Sequence, residues 1–203
     1  AFSGCKSLTT ISIPSSVKTI GPGAFSGCES LTTISIPSSI KTIGPGSFSG
    51  CKSLKQISIP PSVTSIENNA FNGCSLLTEI IIPSSVTKIG LSAFKGCSSL
   101  TEIIIPLSVI EIGSFAFEGC YSLRHVSIPS SVSLIGASYS INFSQPNSYN
   151  TIIKGIFSEC KELNTITLIS CSKNLIKDYQ GKFLNQKTLK TGKYKKYAII
   201  ISI

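Results

Sequence analysis

The chain has 203 residues, of which 41% are hydrophobic and only 13% charged, with no methionine or tryptophan. That balance excludes a disordered polar chain, and the longest apolar run near the C-terminus, residues 197–203, is far too short to cross a bilayer at about 20 residues per helix. The net charge of +9 sits at one end: residues 1–168 hold ten Lys/Arg against eight Asp/Glu, whereas residues 169–203 hold eight lysines against Asp178 alone.

The chain opens with AFSGCKSLTTISIPSSVKTIGPG and then writes nearly the same 23 residues again. Cys5, Cys28, Cys51, Cys74, Cys97 and Cys120 keep this step, as do the phenylalanines from Phe2 to Phe117 and the leucines from Leu8 to Leu123. A fixed period marks a stacked-repeat architecture, one continuous object and not a set of separate domains. Within the first repeat, Leu8, Ile11 and Ile13 form an L-x-x-I-x-I pattern whose alternation predicts a short strand with one buried face. One parallel strand per coil is expected, centred near Ile11, Ile34, Ile57, Ile80, Ile103, Val126 and Ile166. Pro14 and its equivalents end the strand, since proline has no N–H for a ladder. Val17 and Ile20 then return an apolar pair to the interior, Gly21–Gly23 makes a turn, and Phe25 points inward again.

Residues 1–138 therefore read as six repeats, 139–154 as an insertion loop, 155–168 as a degraded seventh repeat and 169–203 as a basic C-terminal tail or cap. The step from Cys120 to Cys160 is 40, one period plus 17 residues, and Phe157, Cys160 and Leu163 restore the register. The absent methionine and a start inside a repeat at Ala1 point to a processed or partial chain.

The pattern L-x-x-I-x-I followed by P-S-S-V-x-x-I-G-x-x-A-F-x-G-C resembles the leucine-rich repeats of the BspA-like, Treponema pallidum type, strongly over residues 1–138 and weakly over 155–168. The resemblance implies a repeat solenoid, mainly β and right-handed, with 23-residue coils and a parallel sheet on the concave side. It also implies surface proteins of bacteria and parasitic protists, often linked to adhesion.

Catalytic chemistry is hard to assemble. His125 is the one histidine and Asp178 the one aspartate. No nucleophile–base pair, Gly-rich phosphate loop or zinc spacing is present, so no enzyme activity, cofactor or metal is expected. Six of the eight cysteines share one repeat position beside a glycine. That is the place of a small buried residue, so free stacked thiols are favoured over serial disulfides. Cys171 is off register, and its pairing with Cys160 has no support.

The outward strand face varies more. One column runs Thr9, Thr32, Lys55, Thr78, Thr101, Arg124; the next runs Thr10, Thr33, Gln56, Glu79, Glu102, His125; a third runs Ser12, Ser35, Ser58, Ile81, Ile104, Ser127. Ile81 and Ile104 replace serine beside two stacked carboxylates, and like charges on neighbouring strands repel. The column reads either as repeat drift, with lateral Ile–Ile packing as the gain, or as a binding patch of Glu79, Ile81, Glu102, Ile104, Arg124 and His125. The insertion carries Tyr139, Phe143 and Tyr149, and insertions in solenoids often project on the binding face. Asn142 begins an N-glycosylation sequon, meaningful only in a secretory pathway. The basic tail reads as a solvated end or as a weak contact with an anionic surface; nucleic-acid binding has no motif behind it. Two functions follow: a non-catalytic adhesion module holding a protein ligand at the cell surface, or an intracellular scaffold built on the same solenoid. The sequence does not fix the oligomeric state.

Overall fold

In the computed structural model, residues 1–129, 131, 132, 134, 135, 139, 140, 156–170, 186–191 and 194–202 are described, and side chains are described through Val132 and over 156–167. The 23-residue period becomes a mainly β, parallel solenoid. On one face, β1 (Thr10–Ser12), β2 (Thr33–Ser35) and β4 (Gln56–Ser58) pair in parallel, with Ile11, Ile34 and Ile57 in one row. Further along, β7 (Glu102–Ile104), β9 (His125–Pro129) and β12 (Thr165–Ser170) do the same, with Ile103, Val126 and Ile166 aligned.

Two expectations need correction. No strand forms around Ile80: the fourth coil contributes only an isolated bridge between Ser58 and Ile81, so this ladder is split between the third and fifth coils. Glu79 and Glu102 adjoin in neighbouring coils at this break, and like charges there repel. Glu79 instead accepts a 2.7 Å hydrogen bond from Gln56, one coil earlier.

The second correction is that four of the first six coils carry a second strand beside the expected one. A second parallel ladder runs without a break through β3 (Thr42–Ile43), β5 (Ser65–Ile66), β6 (Lys88–Ile89), β8 (Glu111–Ile112) and β10 (Leu134–Ile135). Its isoleucines Ile43, Ile66, Ile89 and Ile112 are all fully buried. At its far end β11 (Tyr139–Ser140) folds back antiparallel on β10. Near the C-terminus, β14 (Tyr194–Ser202) lies antiparallel against β12, aligning Ile166 with Ile201, and β13 (Gln186–Thr191) pairs with β14.

The core between the ladders is built of columns. Phe2, Phe25, Phe48, Phe71, Phe94, Phe117 and Phe157 stack with ring centroids 5.3–5.5 Å apart and planes within 10°. The Phe117–Phe157 step matches the others, so the coil at Phe157 resumes the register although 40 residues separate it from Phe117. Leu31, Leu54, Leu77, Leu100 and Leu123 are fully buried beside them. Burying a side chain of this size contributes about 1.5–3 kcal/mol, and no single coil could do it alone.

Hydrogen bonds tie each coil to the last. Ser39, Ser62, Ser85, Ser108 and Ser131 each donate from Oγ to a backbone carbonyl of the preceding coil, at 2.5–2.9 Å. This is the second serine of the P-S-S motif, and it supplies a donor at the corner where proline has none. The glycine before each cysteine has a positive φ, from 69° to 74° between Gly4 and Gly119, a conformation that costs glycine little.

Candidate functional site

Around the split in the first ladder, alternation sets which side chains face out. Ile80 and Ile82 are buried, while Glu79 and Ile81 between and before them are exposed; Ile103 and Ile105 are buried, while Glu102 and Ile104 are exposed. Ile81 keeps 82% of its surface in water and Ile104 63%, so packing against each other does not bury them. Residues Glu79–Ile82 with Glu102, Ile104 and Pro106 line a shallow concavity of about 280 Å³. A second one of about 400 Å³, lined by Gln56, Ile57, Ser58, Glu79 and Ile81 among others, lies on the other side of Ile81. Glu79 and Ile81 thus stand between two hollows.

Arg124 and His125 are exposed in the next coil, and His125 aligns with Glu102 across β7 and β9. The carbonyl of Arg124 accepts backbone bonds from both Asn164 and Thr165. Of the loop residues, Tyr139 has its backbone in β11, and Asn142, Phe143 and Tyr149 lie outside the described residues.

Charges elsewhere on the surface follow a rule legible in the sequence. Where an acid adjoins another charge in its column, that charge is a lysine of the neighbouring coil. Glu29 meets Lys6 at 3.5 Å and Lys52 at 3.2 Å; Lys88 meets Glu111 at 3.4 Å; Lys95 meets Glu118 at 2.8 Å. The hydrogen bond from Lys52, then the charges of Lys52 and Lys6, hold the Glu29 carboxyl below its ordinary value. The column through Glu79 breaks this rule: it reads Gln56, Glu79, Glu102, His125, acid beside acid. Among the described residues neither glutamate makes an ion pair with a lysine or arginine.

A further set of apolar side chains was not foreseen. Leu76, Leu91, Leu107, Ile110, Phe115 and Tyr121 are exposed, all in the same stretch of coils as Ile81 and Ile104. Their counterparts in the earlier repeats are mostly serine, lysine, proline or glycine, and that contrast was the available signal.

The cysteines form no candidate site. Cys28, Cys51, Cys74, Cys97 and Cys120 are free and buried, Cys160 is free and half-buried, and Cys5 is free and exposed. Cys171 lies outside the described residues. From Cys28 to Cys120, and again at Cys160, each thiol donates to the carbonyl of the phenylalanine one coil back, at 3.1–3.3 Å. Burial pushes the Cys51 and Cys160 thiols up to about 12 and Cys74 and Cys97 well above the ordinary value. Such thiols stay protonated and unreactive. Among the described residues no group of three or more His, Cys, Asp or Glu is placed to hold a metal, and no helix is long and apolar enough to cross a membrane.

The family profile described as "BspA type Leucine rich repeat region (6 copies)" matches residues 1–100 and 66–190. The chain belongs to the BspA-type leucine-rich repeat family. It is similar in structure to a leucine-rich repeat protein from Bacteroides ovatus, with 35% identity and a TM-score of 0.65 over 78% of this chain. It spans only 39% of that protein's length. It is also similar to a T. pallidum leucine-rich repeat protein, with 32% identity and a TM-score of 0.57, covering 64% of this chain and 69% of that one. The pneumococcal vaccine antigen PcpA shares the fold at 20% identity and a TM-score of 0.55, over 77% of this chain and 41% of its own. No curated protein matches the chain. BspA-type leucine-rich repeats are in general protein-interaction modules of surface proteins.

Proposed function

We propose that this BspA-type solenoid is a non-catalytic adhesion module at the cell surface, holding a protein ligand by the outward face of its first ladder. The observation that carries this reading is the pair Ile81 and Ile104, 82% and 63% exposed at a position that is serine in four other coils, beside a concavity of about 280 Å³. Large isoleucines in water gain the free chain nothing, and burying both against a partner contributes about 2–4 kcal/mol before ordering costs. Arg124 and His125 flank the patch, and the loop with Tyr139, Phe143 and Tyr149 is its second contact. The family's general association with surface proteins supports a surface location.

Two measurements test it. An impermeant label on intact cells that make the protein should modify it; labelling only after lysis would favour the intracellular scaffold. The immobilised array should retain a surface-labelled protein that the Ile81→Ser/Ile104→Ser variant does not. Equal retention by both would remove the patch from the reading.

A further inference from the structure

The face described above has a charge defect as well as an apolar one, and the two are in register. Everywhere else that the array puts an acid into a column facing an adjoining coil with a charge, the neighbour is lysine, 2.8–3.5 Å away. Only at Glu79 and Glu102 does acid adjoin acid. Glu79 settles for the neutral amide of Gln56, and Glu102 stands in the row with His125. Each of these acids sits two residues before an exposed isoleucine on the same stretch of extended chain, so the motif Glu-x-Ile occurs twice, side by side. Along the chain the acid and the isoleucine are separated by about 6.8 Å, at about 3.4 Å per residue; across coils the step is close to strand spacing, 5.3 Å between the rings of Phe71 and Phe94.

Those two spacings are the lattice of any β-sheet face. A partner strand presenting a basic residue and an aliphatic residue at i and i+2 would set ammonium or guanidinium on carboxylate and aliphatic on isoleucine together. A second strand of the same hairpin would do so again over the neighbouring coil. A helix matches this lattice poorly, because its neighbouring side chains lie about 5–6 Å apart on a curved surface that lifts away from a flat face. Resting on the proposed function of this face, we infer that its ligand is a β-hairpin or antiparallel sheet surface carrying Lys/Arg-x-aliphatic on one strand and aliphatic-x-Lys/Arg on the next, so that the two cations lie side by side and so do the two aliphatics. The partner's cations complete the column that the array leaves without lysine. A second copy of this chain is disfavoured, since the same glutamates would meet when the face pairs with itself.

The probe is a cyclised β-hairpin with Lys-x-Val on one strand and Val-x-Lys on the other, the two lysines adjoining and the two valines adjoining on one face (the Lys-x-Val hairpin), tested by fluorescence anisotropy against the full chain at low and high salt. Controls carry Glu-x-Val, Lys-x-Ser, or the Lys and Val residues on a stapled helix. The first hairpin should bind at least about tenfold tighter than each control, with an affinity that falls as salt rises. Glu79→Gln/Glu102→Gln should erase the preference for lysine over glutamate and flatten the salt dependence, while Ile81→Ser/Ile104→Ser should erase the preference for valine over serine. Both variants restore residues of earlier coils, glutamine as at Gln56 and serine as at Ser58, so the fold tolerates them. Equal binding of the Lys-x-Val and Glu-x-Val hairpins, or a lysine preference that survives Glu79→Gln/Glu102→Gln, overturns the inference. If that happens while capture of a surface protein still depends on Ile81 and Ile104, the inference falls and the proposed function stands.

Discussion

The thiol of Cys74 donates to the carbonyl oxygen of Phe48 at 3.2 Å, one coil back and wholly inside the protein. The same bond recurs from Cys28 to Cys120 and at Cys160, so the cysteine and phenylalanine columns are coupled. A thiolate could not make that bond, and burial alone opposes its formation.

Alkaline pH should therefore unfold this protein early. The folded thiols titrate above their ordinary value of 9.0, Cys51 at about 12, because burial disfavours the charged form. A group with a raised folded value stabilises the fold fully below the unfolded value and loses that contribution as pH rises towards the folded one. Between pH 9 and about 12 each such thiol costs up to about 1.4 kcal/mol per pH unit. The melting temperature should fall steeply over this window, and less steeply in Cys74→Ala/Cys97→Ala. Identical slopes would show that the thiols do not control the transition.

Ser47 is the one polar side chain of the described core whose oxygen is buried without a hydrogen-bond partner. Its counterparts Ala24, Ala70, Ala93 and Ala116 carry no such oxygen. Leaving a buried hydroxyl unsatisfied costs about 1–3 kcal/mol. Ser47→Ala should raise unfolding stability by about 1 kcal/mol in a denaturant titration. A loss of stability would mean that the hydroxyl is satisfied after all.

Neighbouring positions in one turn should respond in opposite directions. A Cβ on Gly113 would collide with the backbone nitrogen of Leu91, so Gly113→Ala must displace a coil and should cost about 1–3 kcal/mol. Two residues on, Phe115 is a half-exposed aromatic at φ 59°, where the first coils have Gly23 and Gly46 at 59° and 57°. The left-handed region costs a residue with a Cβ about 1–2 kcal/mol. Phe115→Gly should recover about 1 kcal/mol, read as a higher midpoint of unfolding with unchanged slope.

The period made most of this fold legible. The columns of Phe48, Cys51, Leu54 and Ile57 follow from spacing alone, because identical residues at identical places in stacked coils must meet one another. The second ladder was hidden because its strands are two residues long: Thr42–Ile43 is too short to show alternation. The break at the fourth coil was hidden for another reason. Ile80 fits the strand pattern, and only its outward neighbours, Glu79 beside Glu102, argue against pairing there. At the candidate site the sequence identified which residues differ from the repeat. The lysines that meet Glu29, Glu111 and Glu118 are less conspicuous, because each such pair lies in a column outside the strand face where the departures from the repeat are largest.

The acid column also makes a prediction that sets stability against binding. Glu102→Lys would place a cation beside Glu79 in the adjoining coil, as Lys88 stands beside Glu111 at 3.4 Å. An exposed pair of this kind contributes about 0.2–1 kcal/mol, and the substitution also removes a like-charge contact. The variant should therefore unfold at a slightly higher temperature than the natural chain at low salt. The gain should vanish near 1 M salt, where screening acts over about 3 Å. The same substitution should repel a basic partner and lower the affinity for the Lys-x-Val hairpin by at least about tenfold, about 1.4 kcal/mol. A chain selected for stability alone would carry the lysine, as it does where Glu29, Glu111 and Glu118 face a charge in the adjoining coil. Should Glu102→Lys leave both the melting temperature and the hairpin affinity unchanged, the two glutamates are repeat drift, and the partner's contact must be sought at Arg124, at His125 or along the insertion.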